Sequence, residues 1–149
     1  MMASIVLVLL AMVVVGVLLA NRLMPRGASG PHSSALPLQA DATEIDRALA
    51  PMLAANPGRS GAILVNHGLD AFAARALATR GAGRSLDLQY YMWHDDLCGR
   101  LLALEAWRAA ERGVRVRMLL DDMNAYGLDQ QMLALDRHPN VEIRLYNAF

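Results

Sequence analysis

The chain has 149 residues, 55% of them hydrophobic and 19% charged, and its formal net charge is zero. With neither sign in excess, no global field recruits nucleic acid or an anionic surface. All 14 basic side chains are arginine, and the absence of lysine excludes Schiff-base chemistry, a phosphate-loop lysine and any other motif needing a lysine ammonium within these residues.

From Met1 to Ala20 there is no charged side chain, and aliphatic runs at Ile5–Leu10 and Val13–Leu19 are broken only by small residues. Twenty such residues in a helix span about 30 Å, enough to cross a bilayer. A cleaved signal peptide is the alternative. The membrane anchor, over residues 1–24, is favoured because no Arg or Lys precedes the apolar run and the run exceeds a usual signal core. Arg22 and Arg26 follow it, so the positive-inside rule places the downstream domain on the cytoplasmic side.

Residues 25–41 contain Pro25, Gly27, Ser29, Gly30, Pro31, Ser33, Ser34 and Pro37. This mixture is rich in turn formers and poor in packing side chains, and predicts a flexible tether. A short helix is expected over Thr43–Leu53, with Ile45, Leu49 and Leu53 on one face and Pro51 weakening its last turn.

Beyond Gly61 the pattern alternates between short β-prone runs and helix-period stretches. Ala62–Val65 is a brief strand candidate. A helix over Leu69–Arg80 places Leu69, Phe72, Ala73, Ala76 and Leu77 on one face. Ser85–Trp93 alternates with period two and predicts a strand. A second helix over Leu97–Arg112 turns Leu97, Leu101, Leu104 and Trp107 inward and Arg100, Glu105, Arg108 and Arg112 outward, and Gly113 ends it. Cys98, the single cysteine, stands at the start of this helix and suits a small buried apolar side chain. Val114–Leu120 predicts another strand, Leu128–Leu135 a third helix closed by His138-Pro139-Asn140, and Val141–Tyr146 a last strand.

Repeated β-α-β units of this length imply an α/β fold with a parallel sheet and right-handed crossovers. Parallel strands buried on both faces should be apolar on both, yet Arg115 and Arg117 in one strand and Glu142 and Arg144 in another leave one face polar. Something polar, or something beyond these residues, is expected to cover it.

Ligands in open parallel sheets bind beyond the carboxyl ends of the strands, which directs attention to Trp93, His94, Asp95, Asp96, Asp121 and Asp122. Paired carboxylates there suit Mg²⁺ or a shared proton. The simpler reading is that Asp95 or Asp96 caps the following helix and that Asp121 and Asp122 lie in a polar loop. His32, His67 and His138 have no metal-ligand spacing and read as turn or surface residues. Tyr90, Tyr91 and Trp93 lack the interleaved basic residues of a base-stacking platform, which favours packing and pocket lining.

The runs Ser85–Asp96, Gly99–Leu102 and Arg112–Asp122, with Gly68–Phe72 upstream and Leu135–Asp136 and His138–Leu145 downstream, resemble the N-terminal half of bacterial cardiolipin synthases, particularly the C type, in the phospholipase D superfamily. The resemblance covers residues 42–149, with Cys98 and His67 as departures. It implies transfer of a phosphatidyl group between phospholipids through a phosphohistidine, with no metal or organic cofactor. It also implies membrane phospholipids and the remainder of the phospholipase D-like fold as partners, with no nucleic acid, and a single-pass protein of the bacterial inner membrane.

The family's His-x-Lys-x4-Asp motifs cannot be carried over, because the residues two beyond the four histidines are Ser34, Leu69, Asp96 and Asn140. The expectation is therefore an incomplete, N-terminal portion of the fold that is inactive by itself, in a reading frame that continues into the motif. No catalytic residue is assigned, and Trp93, His94, Asp121 and Asp122 are the candidates for a pocket rim. A phosphodiesterase or nuclease of the same superfamily, or a non-catalytic membrane-anchored binding module, are the alternatives.

Overall fold

The computed structural model describes residues 2–23, 30–37, 39–125 and 127–148, with side chains from residue 5 onward. Met1 and tether residues 24–29, Pro25, Arg26, Gly27 and Ser29 among them, lie outside the described residues. The chain divides into two compact units, one holding the first helix and the other spanning Ser33–Asn147.

The first helix, α1 (Met2–Leu23), has a stretch from Ile5 to Leu23 with a mean hydropathy of 2.5. It is long and apolar enough to cross a bilayer.

In the second unit, α2 (Glu44–Ala55) opens with a capping box in which Thr43 and Asp46 satisfy each other's backbone N–H groups. It runs through Pro51 and buries no side chain. Ala62–Val65, expected as a strand, forms none, and Ile63 and Leu64 are about nine-tenths exposed. Four residues of β-prone sequence form no strand without a neighbour to pair with.

The elements that follow are α3 (Gly68–Gly81), β1 (Ser85–Tyr90), α4 (Leu97–Glu111), β2 (Arg115–Asp121), a 3₁₀ turn at Asp122–Asn124, α5 (Asp129–Asp136) and β3 (Val141–Tyr146). The three strands pair in parallel in the order β1-β2-β3, in a register that aligns Asp87, Arg117 and Glu142 in one row. Strand order advances in one direction, so crossovers of one hand put both connecting helices on the same face. Leu102, Ala106, Ala109 and Ala110 of α4 and Met132 and Leu135 of α5 accordingly share a core with Val116, Met118, Leu120 and Val141. Asn140 fastens the entry to β3 by donating from Nδ2 to the Ala110 carbonyl (3.1 Å).

The faces of the two longer helices differ from the periodicity reading. In α3, Phe72, Ala76 and Thr79 turn inward, whereas Leu69 and Leu77 are exposed. In α4, Leu97, Leu101 and Leu104 are exposed and Glu105, expected outside, is 4% exposed. The alanines let α4 approach the sheet closely, and Glu105 is held by two arginines, which is the condition for burying a carboxylate. Cys98, expected inside, is exposed.

The expected tether also differs, because the compact unit begins within it, at Ser33. The Ser33 hydroxyl donates to Glu142 Oε2 (2.9 Å) and accepts from Arg115 and Arg117 (3.1 Å each). Arg115 also donates to the Ser34 carbonyl (2.9 Å) and Arg84 to that of Pro37 (3.3 Å). Part of the polar sheet face is thus covered by the chain's own strap, which matches its polarity with a hydroxyl and backbone carbonyls.

Candidate functional site

Each β-to-α connection leaves the carboxyl end of a strand and carries an acidic residue that starts the next element. After β1, Asp96 caps α4 by accepting from Gly99 N–H (2.8 Å). Asp95 receives both Nε and Nη2 of Arg100 (2.6 and 3.0 Å). Arg100, with a further bond from Gln131, lowers its pKa. The loop folds so tightly that a Cβ on Gly99 would lie 2.0 Å from the His94 carbonyl oxygen. Only glycine fits at position 99.

After β2, Asp121 is 7% exposed and accepts from Met123 N–H (3.1 Å), Asn124 Nδ2 (3.3 Å) and, across the sheet, Asn147 Nδ2 (3.1 Å). Three donors meet on this one carboxylate, and the one from Asn147 ties the end of β2 to the end of β3. Asn147 is held there with φ of 53°, a left-handed conformation that asparagine tolerates better than most residues.

The four rim candidates are divided among three cavities. Trp93 and His94 border a 140 Å³ cavity with Phe72, Arg75 and Tyr90. Asp121 borders one of 510 Å³ with Tyr91, Tyr146 and Asn147. Asp122 borders one of 260 Å³ between α5 and β3. Trp93 is itself a core residue, 5% exposed, with its ring edge-on to Tyr90 at a centroid distance of 5.0 Å. Burial raises the Tyr90 pKa. His94 is exposed. Among the described residues no group of three or more His, Cys, Asp or Glu side chains could hold a metal ion. The acidic pairs are engaged as caps, loop braces and ion pairs.

His138 sits in the turn before β3. Its Nδ1 accepts from Asn140 N–H (3.1 Å), its Nε2 lies 3.1 Å from Glu111, and its ring meets Trp107 edge-on. It braces a turn, as its spacing suggested.

The polar face of the sheet carries a second cluster. Arg117 grips Asp87 through Nε and Nη2 (2.7 Å each) and lowers its pKa. Arg144 Nε donates to Glu142 (2.6 Å). Ser33, first, and Arg144 hold the Glu142 carboxyl below the usual range. These groups line a 440 Å³ cavity beneath the strap. The alternation of charged residues in β2 and β3 signalled this face. The pairing to Asp87 and Ser33 did not show, because it depends on strand register and on a segment far away in sequence.

No protein-family model matches the chain. Over 102 residues, 68% of the chain, it is 49% identical to cardiolipin synthase C of Escherichia coli K12, covering 22% of that protein. Over 107 residues, 72% of the chain, it is 36% identical to an uncharacterized protein of Helicobacter pylori, covering 21% of that protein. Among solved structures, NucT from Helicobacter pylori is similar at a TM-score of 0.46 and 22% identity, over 54% of this chain and 49% of that one. The chain spans about a fifth of the length of the curated relatives it matches. It is a relative of the bacterial cardiolipin synthases of the C type.

Proposed function

We propose that this relative of the C-type cardiolipin synthases contributes the membrane anchor and an N-terminal part of a phosphatidyltransferase that works in phospholipid biosynthesis. The observation that carries this reading is the 49% identity over 102 residues. The apolar Ile5–Leu23 helix supports it, since an enzyme acting on phospholipids gains effective concentration by being held at the bilayer. In this reading residues 1–24 are the single-pass anchor in a bacterial inner membrane and 25–41 the connection. Residues 42–149 belong to the phospholipase D-like domain, on the cytoplasmic side indicated by Arg22 and Arg26.

The absence of lysine means that the His-x-Lys-x4-Asp nucleophile and acid come from residues other than these 149. The part played here is positional. Asp121 and Asn147 lock the ends of β2 and β3 around the 510 Å³ cavity, and Trp93 anchors the loop that presents His94. Trp93, His94, Asp121 and Asp122 remain the proposed rim, with the remainder of the fold and membrane phospholipids as partners.

The test is phospholipid analysis of cells that lack endogenous cardiolipin synthases and carry the complete reading frame encoding these residues. Cardiolipin should accumulate at the expense of phosphatidylglycerol, and the 149-residue chain alone should be inert. Turnover by the 149 residues alone would overturn the reading. So would cleavage of DNA in place of phospholipid transfer by the complete product.

A further inference from the structure

β3 lies at the margin of the sheet, and from Val141 to Leu145 its chemistry runs apolar, acid, apolar, base, apolar, so that reversing the strand sets acid against base and apolar against apolar. Val116 N–H donates to the Asn140 carbonyl, so the even-numbered residues of β3 direct their backbone groups at β2. Val141, Ile143 and Leu145 turn theirs outward. Among the described residues no strand pairs with that side. Instead the Asp136 carboxylate accepts from Ile143 N–H (2.8 Å), and Val141 N–H donates to the His138 carbonyl (2.9 Å).

We propose that a second copy of the chain adds at this margin, β3 against β3 in antiparallel sense about a two-fold axis at Ile143, joining two three-stranded sheets into one. Ile143 N–H then donates to the partner's Ile143 carbonyl, and Leu145 N–H to the partner's Val141 carbonyl, each in both directions. On the polar face Glu142 lies opposite Arg144 twice, at the closer non-hydrogen-bonded positions where cross-strand charges interact most strongly.

The charge order also selects the register. Moving the axis one residue either way sets Glu142 against Glu142 or Arg144 against Arg144, where like charges directly opposite destabilise the pair. On the helix-covered face, Leu133 and Leu145 are 59% and 44% exposed beside the 260 Å³ groove between α5 and β3, and the second copy would cover them. Asp136 must release Ile143 N–H before the strands can join, so it opposes the pairing, as side chains that guard sheet edges do.

The experiment uses the intact chain in detergent micelles with Cys98→Ser as background. On mild oxidation Ile143→Cys should cross-link to itself. Val141→Cys and Leu145→Cys should each stay monomeric alone, because two copies of either position lie about 14 Å apart. Mixed together, those two variants should cross-link. Asp136→Ala should shift self-association to roughly tenfold lower concentration. Glu142→Arg should weaken it, and Glu142→Arg/Arg144→Glu should restore it. A chain that stays monomeric wherever it is soluble would overturn the proposal, as would cross-linking alike at 141, 143 and 145, or a dimer in which Ile143→Cys forms no bond.

Discussion

Arg80 of α3 and Glu105 of α4 form a two-pronged ion pair, Nε to Oε2 and Nη2 to Oε1, both 2.8 Å, and Arg108 adds a third bond to Oε1 (2.9 Å). The pair fastens the two helices at a carboxylate whose side chain is only 6% exposed. Bonding to Arg80 is the largest influence, and it lowers the Glu105 pKa to about 2 from the ordinary 4.5.

A carboxyl whose folded-state pKa is depressed adds stability above its unfolded pKa and loses it as pH falls through the folded value. The Glu105 contribution should therefore be complete above pH 4.5 and disappear toward pH 2. Glu105→Gln should lower stability by about 2 kcal/mol at neutral pH and flatten the acid limb of the urea midpoint between those values. An unchanged acid limb in the variant would remove Glu105 from the account.

The inward face of α4 makes a second prediction. Ala106 is completely buried against the sheet, so Ala106→Leu should destabilise by about 1–3 kcal/mol through overpacking. Leu104, 42% exposed, should be replaceable by alanine for less than about 1 kcal/mol. Urea unfolding of both variants measures the contrast. The reverse order would mean that the face inferred from leucine spacing is the buried one.

Gly99→Ala brings a Cβ to 2.0 Å from the His94 carbonyl oxygen, too close for any small adjustment. The loop from Trp93 to Asp96 must move, at a cost of roughly 1–3 kcal/mol. Trp93 packs edge-on to Tyr90, so its fluorescence should redden as the indole is exposed. An unaltered spectrum with unaltered stability would show that the loop does not close on Gly99.

Ser33→Ala removes a donor to Glu142 and an acceptor from Arg115 and Arg117. Because the Ser33 hydroxyl is the largest influence lowering the Glu142 pKa, that carboxyl should titrate at higher pH in the variant, as followed by NMR. Stability should fall by about 1 kcal/mol. A Glu142 titration identical in both proteins would mean the strap does not rest on the sheet in solution.

The anchor is tested by fractionation. The intact chain should stay with membranes through an alkaline carbonate wash, because the Ile5–Leu23 stretch carries one charged side chain, Arg22, at its end. Deleting residues 1–26 should release the remainder. Recovery of the intact chain in the soluble fraction would refute a spanning helix.

The features legible in the sequence were those fixed by neighbours along the chain. Period-two alternation gave strands over Ser85–Trp93, Val114–Leu120 and Val141–Tyr146, which the structure forms as Ser85–Tyr90, Arg115–Asp121 and Val141–Tyr146, and their polar alternate residues announced a face unlike the core. Helix-period runs ended by Gly113 and by His138-Pro139-Asn140 gave the β-α-β order, and with it the parallel sheet. An uncharged stretch of bilayer length gave α1. Capping chemistry is equally local, and Asp96 serves as the cap its position suggested.

What only the tertiary structure decided were the choices between nearly equal local options. Periodicity confines an apolar stripe to an arc of a helix. Whether α4 turns its leucines or its alanines to the sheet depended on how closely the helix must approach and on Arg80 arriving from another helix to neutralise Glu105. Ser33 reads as tether until strand register brings Glu142, Arg115 and Arg117 together beneath it, from positions more than eighty residues away in the chain. Likewise Trp93, His94, Asp121 and Asp122 all follow strand ends in sequence, yet the loops divide them among three cavities. The position of a residue along a strand is local information. The direction its loop then takes is set by packing against distant elements.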